Sequence, residues 1–344
     1  MPLGFNKSFN VVGVDLGSST IKIVELEHTN NGSRLVTYGI AEQKHSLYKL
    51  DSQSNQKELA SLLQEVVKKA RVTTSRAVTA ISSINAFNTV VDLPSMPDKE
   101  IKSAIQWEVK KIIPLPLEKM TLNWQIIPSQ GKGKKILLTA APKEIVEQYM
   151  EIFKKADLIL TGIETDISAL RRSTISNNTT ALLIDIGATN TNIAIISNGL
   201  PVISRNIDVG SKTITLNIEK NMNVGPDRAE QFRDDIGLPK DSFIGHPAGR
   251  AISFVMDNMI IKEVKRVIST YQDNDKKDIN KIVISGGCSH LKNITSYFSR
   301  ELKIETIIGD PWQNITYPEA LAEELKKIGP NLAVAVGLAL RKKK

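Results

Sequence analysis

Cysteine is all but missing: Cys288 stands alone among 344 residues. A single thiol excludes an intramolecular disulfide and a Cys-rich zinc site, and it fits a reducing, cytosolic compartment. The four histidines (His28, His45, His246, His290) show no metal-ligand spacing of the HExxH kind. Aromatic residues make up 5% of the chain and form no stripe with basic ones, which argues against a nucleic-acid surface. No GxxxxGKS/T segment occurs, so the P-loop route to nucleotide binding is closed. The longest apolar stretch toward the end, LAVAVGLAL (332–340), is far too short to span a bilayer. MPLGFNKSFN at the start has no apolar signal core. Any membrane link is therefore expected to run through a partner or the surface. Low-complexity linkers are absent too; SNNTT (176–180) is the best candidate for a domain junction.

What is present is length, alternation and positive charge. The chain is long enough for two domain-sized cores, and 41% hydrophobic with 24% charged residues is ordinary for a soluble globular protein. Net charge is +8 and the chain stops at RKKK (341–344), which favours an acidic partner, an anionic membrane face or nucleic acid without choosing among them. Strands are predicted over 11–16 and 21–27, joined at Gly17–Thr20, with others near 34–40 and 77–82; QKELASLLQEVVKKA (56–70) has helical periodicity. Over 86–163 the pattern reads strand, helix (98–113, ended by Pro114), two strands around the turn SQGKG, helix (143–156) and strand. That order predicts a small α+β module inserted into a larger α/β unit.

The stretch VVGVDLGSSTIKIVEL (11–26) returns as ALLIDIGATNTNIAIIS (181–197), 170 positions downstream. Asp15 matches Asp185, Gly17 matches Gly187, Ser19 matches Thr189 and Thr20 matches Asn190. Such a repeat predicts two halves of similar build facing each other. Each copy suits phosphate. Glycine allows a tight turn whose N–H groups approach an anion, and the hydroxyls of Ser18, Ser19 and Thr20 add donors. A carboxylate beside phosphates calls for a divalent cation between them, Mg²⁺ held mostly through water by Asp15 and Asp185. Lys22 adds a point charge. A third element, KIVISGGCSHLKN (281–293), puts Gly286–Gly287 between a strand and a helix, where a flat base can lie against backbone.

Two phosphate turns and a Gly-Gly motif in this order resemble the actin/Hsp70/sugar-kinase ATPases. Within that group the chain is similar to the PilM family of type IV pilus assembly proteins, relatives of the cell-division protein FtsA. The resemblance runs over nearly the whole chain. It is carried by GVDLGSSTIKIVEL, LPSMPDKEIKSAIQWEVKKIIPLPLEKMTLNWQII (93–127), PDRAEQFRDDIGL (226–238), ISGGCSHLKNITSYFSRELKIETIIGDPW (284–312) and GPNLAVAVGLAL (329–340). It implies an α/β, actin-like (ribonuclease H-like) two-lobed ATPase fold with an inserted FtsA-type (SHS2-like) subdomain. The first lobe would comprise 1–85, 164–178 and 315–344, the insert 86–163, and the second lobe 179–314, with 211–278 as its smaller subdomain.

The resemblance further implies ATP and Mg²⁺ as ligands. Asp15, Gly17, Ser18, Ser19, Thr20 and Lys22 would form one phosphate loop, and Asp185, Gly187, Ala188, Thr189 and Asn190 the other. Gly210 would approach the nucleotide, Glu230 and Arg233 would reach ribose and adenine, and Gly286 and Gly287 would cover the base. Hydrolysis stays open: Asp166, or Glu164, would position a water, while Asp166 reads equally as a helix N-cap. The implied partner is the N-terminal cytoplasmic peptide of a PilN-like inner-membrane protein, bound between the insert and the first lobe, alongside other pilus platform proteins. Self-association and a peripheral place at the cytoplasmic face of the inner membrane are implied as well. On the helix over 98–113, Ile101, Ala104, Ile105, Val109 and Ile112 form one apolar face, with Trp107 set off from its centre as a core margin or a partner anchor. The competing reading is an FtsA-like filament-forming ATPase.

Overall fold

β-branched runs at each copy of the repeat seed two sheets of the same plan. The structure, a computed structural model, describes residues 8–43, 52–83, 85–112, 116–127, 133–176, 179–239, 245–275 and 278–341. Pro114, most of the SQGKG turn, part of the 176–180 junction, His45 and the last lysines lie outside the described residues, as does the side chain of Ile112.

In chain order the first part runs β1 (Phe9–Leu16), β2 (Thr20–Thr29), β3 (Gly32–Glu42), α1 (Gln53–Lys69) and β4 (Arg76–Ile81). The middle follows with β5 (Phe87–Leu93), α2 (Asp98–Ile112), β6 (Met120–Ile127), β7 (Lys134–Pro142), α3 (Lys143–Lys155), β8 (Ile159–Thr165) and α4 (Asp166–Thr174). The second repeat opens with β9 (Ala181–Ile186), β10 (Thr191–Ser197) and β11 (Leu200–Ile207). It continues with α5 (Ser211–Met222), α6 (Pro226–Ile236), α7 (Pro247–Val255), α8 (Lys262–Asp275), β12 (Lys281–Ser285), α9 (Ile294–Leu302) and β13 (Thr306–Ile308). The described chain closes with β14 (Ile315–Thr316) and α10 (Ala322–Ala339). Helix α1 starts three residues before the periodicity suggests, because Ser52 caps it by accepting from Asn55 N.

One sheet has the order β14-β3-β2-β1-β4-β8 and another β11-β10-β9-β12-β13. Each has an antiparallel three-strand meander with two parallel strands on the side of its first strand, and the first sheet adds the short β14 beside β3, so the sequence repeat is a topological repeat. Helices α4 and α10 lie between the sheets. Ile167 and Leu170 of α4 and Ala333, Val334 and Leu338 of α10 share one core with Val11 and Val78 of the first sheet and Leu183, Ile196 and Val283 of the second.

The stretch 86–163 keeps its predicted element order but not a sheet of its own throughout. β5, β7 and β6 form a separate three-stranded sheet covered by α2, through Ile101, Ile105 and Val109. Strand β8 instead pairs in parallel with β4 in the large sheet. Helix α3 sends Tyr149, Ile152 and Phe153 into the core around Leu59 and Leu63 of α1. An apolar run predicts a strand but not its partner; β8 pairs with β4 as the edge strand of the large sheet, with only Thr165 fully buried.

Candidate functional site

The two Asp-Gly turns close in the same way. In the first, Gly17 N donates to Thr20 O at 3.0 Å, and in the second Gly187 N donates to Asn190 O at 2.9 Å. Asp15 stands opposite Lys22 in the β1–β2 register, and Lys22 Nζ donates to Asp15 Oδ2 at 3.1 Å. Asp185 stands opposite Asn192 in β9–β10. Gln43, at the end of β3, braces the first turn, its backbone N bonding Ser19 O at 2.8 Å and its Nε2 bonding Gly17 O at 2.9 Å.

The turns meet. Thr189 Oγ1 donates to Ser18 Oγ at 2.9 Å, which joins the second sheet to the first. Beside this contact Ser19 Oγ is buried with no hydrogen-bond partner. Gly210 touches the second turn: a Cβ there would lie 2.6 Å from Ala188 O and from Gly187 O. This close approach lets Ser211 N and Lys212 N bond the carbonyls of Gly187 and Ala188, at 3.0 and 2.9 Å, and sets the start of α5 on the turn. Gly286 has φ +84°, and a Cβ would come within 2.5 Å of Ile186 O and 2.6 Å of Asp185 Oδ1, so this turn presses against the Asp185 strand end and tolerates only glycine. Gly287 opens the 287–290 turn, near the buried and unpartnered Oδ1 of Asn331. Asn331 carried no sequence signal.

On α6, Arg233 donates to both carboxylate oxygens of Asp234 at 2.8 and 3.2 Å and to Thr215 Oγ1 at 2.9 Å; Glu230 is farther, at 3.5 Å, and exposed. The Glu230–Arg233 face read from their spacing therefore exists, with Asp234 as the stronger partner. Loss of water pushes the buried Cys288 thiol up to about 12, which makes it a packing residue.

The electrostatics bring the carboxylates together. Burial pushes Asp185 up to about 7; Asp166 and Asp15 push the same way, and Lys22 and the Asn192 hydrogen bond pull against them. Burial also raises Asp166, against hydrogen bonds from Ser83 and Ile167 and with the Asp15 charge adding to it. Asp166 is the first residue of α4 rather than its cap; Thr165 holds the cap position. Ser83 and Asn192 are partners of Asp166 that the sequence did not point to; Ser83 stands in no motif, and Asn192, in the place of Lys22 in the second copy, gave no sign of this contact.

Glu164 lies elsewhere. It takes the Arg172 fork, at 2.6 and 2.7 Å, and faces a groove on the other side of α4. That groove, about 1040 Å³, runs between Trp124, Leu137 and Thr139 of the three-stranded sheet, Thr161 and Ile163 of β8, and the Gly199–Pro201 turn of the second sheet. Arg76, Arg171 and Arg341 also border it. Trp107, by contrast, is 67% exposed on the outer face of α2.

The sequence model of the family described as type IV pilus assembly protein PilM matches residues 13–343. Among solved structures, a chain of a PilM–PilN type IV pilus biogenesis complex is similar with a TM-score of 0.84 at 24% identity, over 96% of this chain and 98% of that one. Ethanolamine utilization protein EutJ from Carboxydothermus hydrogenoformans is similar at 0.58 and 18% identity, over 96% and 89%. MreB5 of Spiroplasma citri, bound to AMPPNP, is similar at 0.53 and 14% identity, over 95% and 94%. The fold these chains share with this one is the actin-like, two-lobed α/β fold.

Proposed function

The chain belongs to the family of type IV pilus assembly protein PilM, and from that premise we propose that it is an ATP-binding adaptor of the pilus assembly platform. The observation that carries the nucleotide reading is the meeting of the two acidic turns at Ser18 and Thr189. The residues fit a polyphosphate with a divalent cation. The orphaned Ser19 hydroxyl wants an acceptor, and the Gly210 and Gly286 approaches leave backbone exposed where side chains would fill the space. Asp15, Gly17, Ser18, Ser19, Thr20 and Lys22 would hold phosphate from one side, and Asp185, Gly187, Ala188, Thr189, Asn190 and Gly210 from the other. Asp15 and Asp185 would hold Mg²⁺ through water, and Gly286, Gly287, Glu230 and Arg233 would border the nucleoside. The cation would neutralise phosphate charge beside the carboxylates.

The partner reading rests on the likeness to a chain solved with PilN and on the groove. Its wall mixes apolar residues, Trp124, Leu137 and Ile163, with polar ones, Thr139, Thr161 and Arg171, which suits an extended peptide. We assign the groove to the N-terminal cytoplasmic peptide of a PilN-like membrane protein. Among the described residues no helix is long and apolar enough to cross a membrane, so such a partner would supply the inner-membrane attachment.

A fluorescent N-methylanthraniloyl (mant) ATP titration tests the cleft. Asp15→Ala is expected to weaken Mg-dependent binding tenfold or more, and unchanged affinity would reject the phosphate-loop assignment. A PilN-tail peptide is expected to be retained by the immobilised protein; no retention with or without Mg-ATP would reject the adaptor.

A further inference from the structure

Asp166 is the cleft carboxylate that the family resemblance offers for orienting a water, yet its own oxygens are already taken. Oδ1 accepts from Ile167 N at 2.8 Å and from Ser83 Oγ in a very short bond. Oδ2 accepts from Ser83 N at 3.3 Å and from Asn192 Nδ2 at 2.9 Å. A carboxylate offers about four lone-pair sites, so no acceptor position remains. Three of these bonds come from the first lobe, two from the Ser83 loop and one from α4 itself. The fourth comes from β10, in the second sheet.

That fourth bond is built rather than incidental. Asn192 is 4% exposed. Its Oδ1 accepts from Asn206 Nδ2 at 2.6 Å, and Asn206 is its register partner on β11. With the carbonyl end engaged, the amide can only present its N–H to Asp166. Asn192 also holds the place, opposite Asp185, that Lys22 holds opposite Asp15. A lysine would neutralise its cross-strand carboxylate. The neutral amide brings no charge to Asp185, which it only hydrogen-bonds, and it also reaches across the lobes to Asp166.

We infer that Asn192 is a positioning residue that keeps Asp166 from acting as a water acceptor, so that this cleft holds a nucleoside triphosphate instead of turning it over. The inference rests on the nucleotide reading above. Hydrolysis needs an acceptor for the proton of the attacking water as its oxygen bonds the terminal phosphorus and the bond to the leaving diphosphate breaks. Removing the Asn192 amide returns one acceptor position of Oδ2 and cuts a polar link between the lobes.

Asn192→Ala, Asn206→Ala and the double variant Asn192→Ala/Asp166→Asn test this with three measurements: mant-ATP affinity, single-turnover phosphate release, and the inter-lobe distance distribution of the nucleotide-free protein by spin-label spectroscopy. The expected result is binding within a few-fold of wild type, phosphate release at least tenfold faster in Asn192→Ala, and a broader inter-lobe distribution without nucleotide. Asn206→Ala should fall between, and the double variant should return to the wild-type rate, which a general loosening would not produce. If Asn192→Ala binds nucleotide but leaves phosphate release unchanged, the inference is overturned, whatever the distance distribution shows. If wild type fails to bind mant-ATP, the nucleotide reading falls and takes the inference with it.

Discussion

Asp185 is held by its surroundings against its charge. Burial is the main cause, with Asp166 and Asp15 adding to it, and its pKa is about 7 against 3.8 for a free side chain. A carboxyl group raised on folding contributes stability in full below the unfolded value and loses it as pH rises through the folded one. The window is therefore about pH 4 to 7, with stability falling as pH increases. Asp185→Asn removes the titration. In nucleotide- and Mg-free buffer, wild type is expected to lose Tm between pH 5 and 8 relative to Asp185→Asn, by about 2–5 °C, with the two converging toward pH 4. Parallel melting profiles across that range would show that Asp185 is not strained by ionisation. The acidic and hydroxyl residues of the two turns were legible because each sits in or beside a short Asp-x-Gly segment whose chemistry is local. The roles of Asn192 and Ser83 were not: the repeat shows only that Asn192 stands where the first copy has Lys22, Ser83 after its strand carries no pattern, and what each does arises from contacts between distant segments.

At the scale of elements, α10 sets the tolerance of the core between the lobes. A Cβ on Gly337 would lie 1.9 Å from Ala169 O of α4, and one on Gly13 would lie 2.1 Å from Ala335 O of α10. Helix α10 is thus wedged between β1 and α4, and α4 carries Asp166. Pro330 gives the wedge a second use. Its carbonyl accepts from Ser285 Oγ at 2.9 Å and Gly286 N at 3.1 Å, tying α10 to the Gly-Gly turn. Gly337→Ala is expected to cost about 1–3 kcal/mol of overpacking in urea unfolding and to weaken mant-ATP binding by displacing α4. Gly225→Ala, where no atom lies within 4 Å of the added Cβ, is expected to stay within about 0.5 kcal/mol, since the poorer N-cap of α6 is offset by the lower entropy of the unfolded chain. Equal effects from the two would mean that the α4–α10 approach is not the sensitive contact. Helices such as α1 and α2 were readable from their period, apart from the first residues of α1, which the Ser52 cap sets. The sheet membership of β8 and the docking of α3 on α1 were not, because residue pattern identifies a half-buried element without naming what buries it.

At the scale of the molecule, the cleft and the groove are two ends of the same parts. Strand β10 leaves the second Asp-Gly turn at Thr191 and ends at Ser197, beside the Gly199–Pro201 turn that borders the groove. Its seven residues make a rigid spacer of about 20 Å. Helix α4 likewise starts with Asp166 in the cleft and presents Ser168, Arg171 and Arg172 to the groove. Asn88 Nδ2 donates to Thr165 Oγ1 at 3.0 Å and Thr139 Oγ1 donates to Asn88 Oδ1 at 2.7 Å, so the three-stranded sheet is bonded to the residue just before Asp166. A ligand that draws the second lobe toward the first therefore moves a wall of the groove, and a peptide in the groove presses on the supports of the cleft. Coupling of binding free energies is reciprocal. The PilN-tail peptide is expected to change mant-ATP affinity by about three- to tenfold, and Mg-ATP to change peptide affinity by the same factor and in the same direction, within the usual range of such couplings. Trp124, which lines the groove at 37% exposure, reports the peptide by a fluorescence shift in a Trp107→Phe background, where the exposed indole of α2 no longer contributes. Peptide affinity identical with and without Mg-ATP, in a protein that binds both, would show that the shared strand and helix transmit nothing between the two sites.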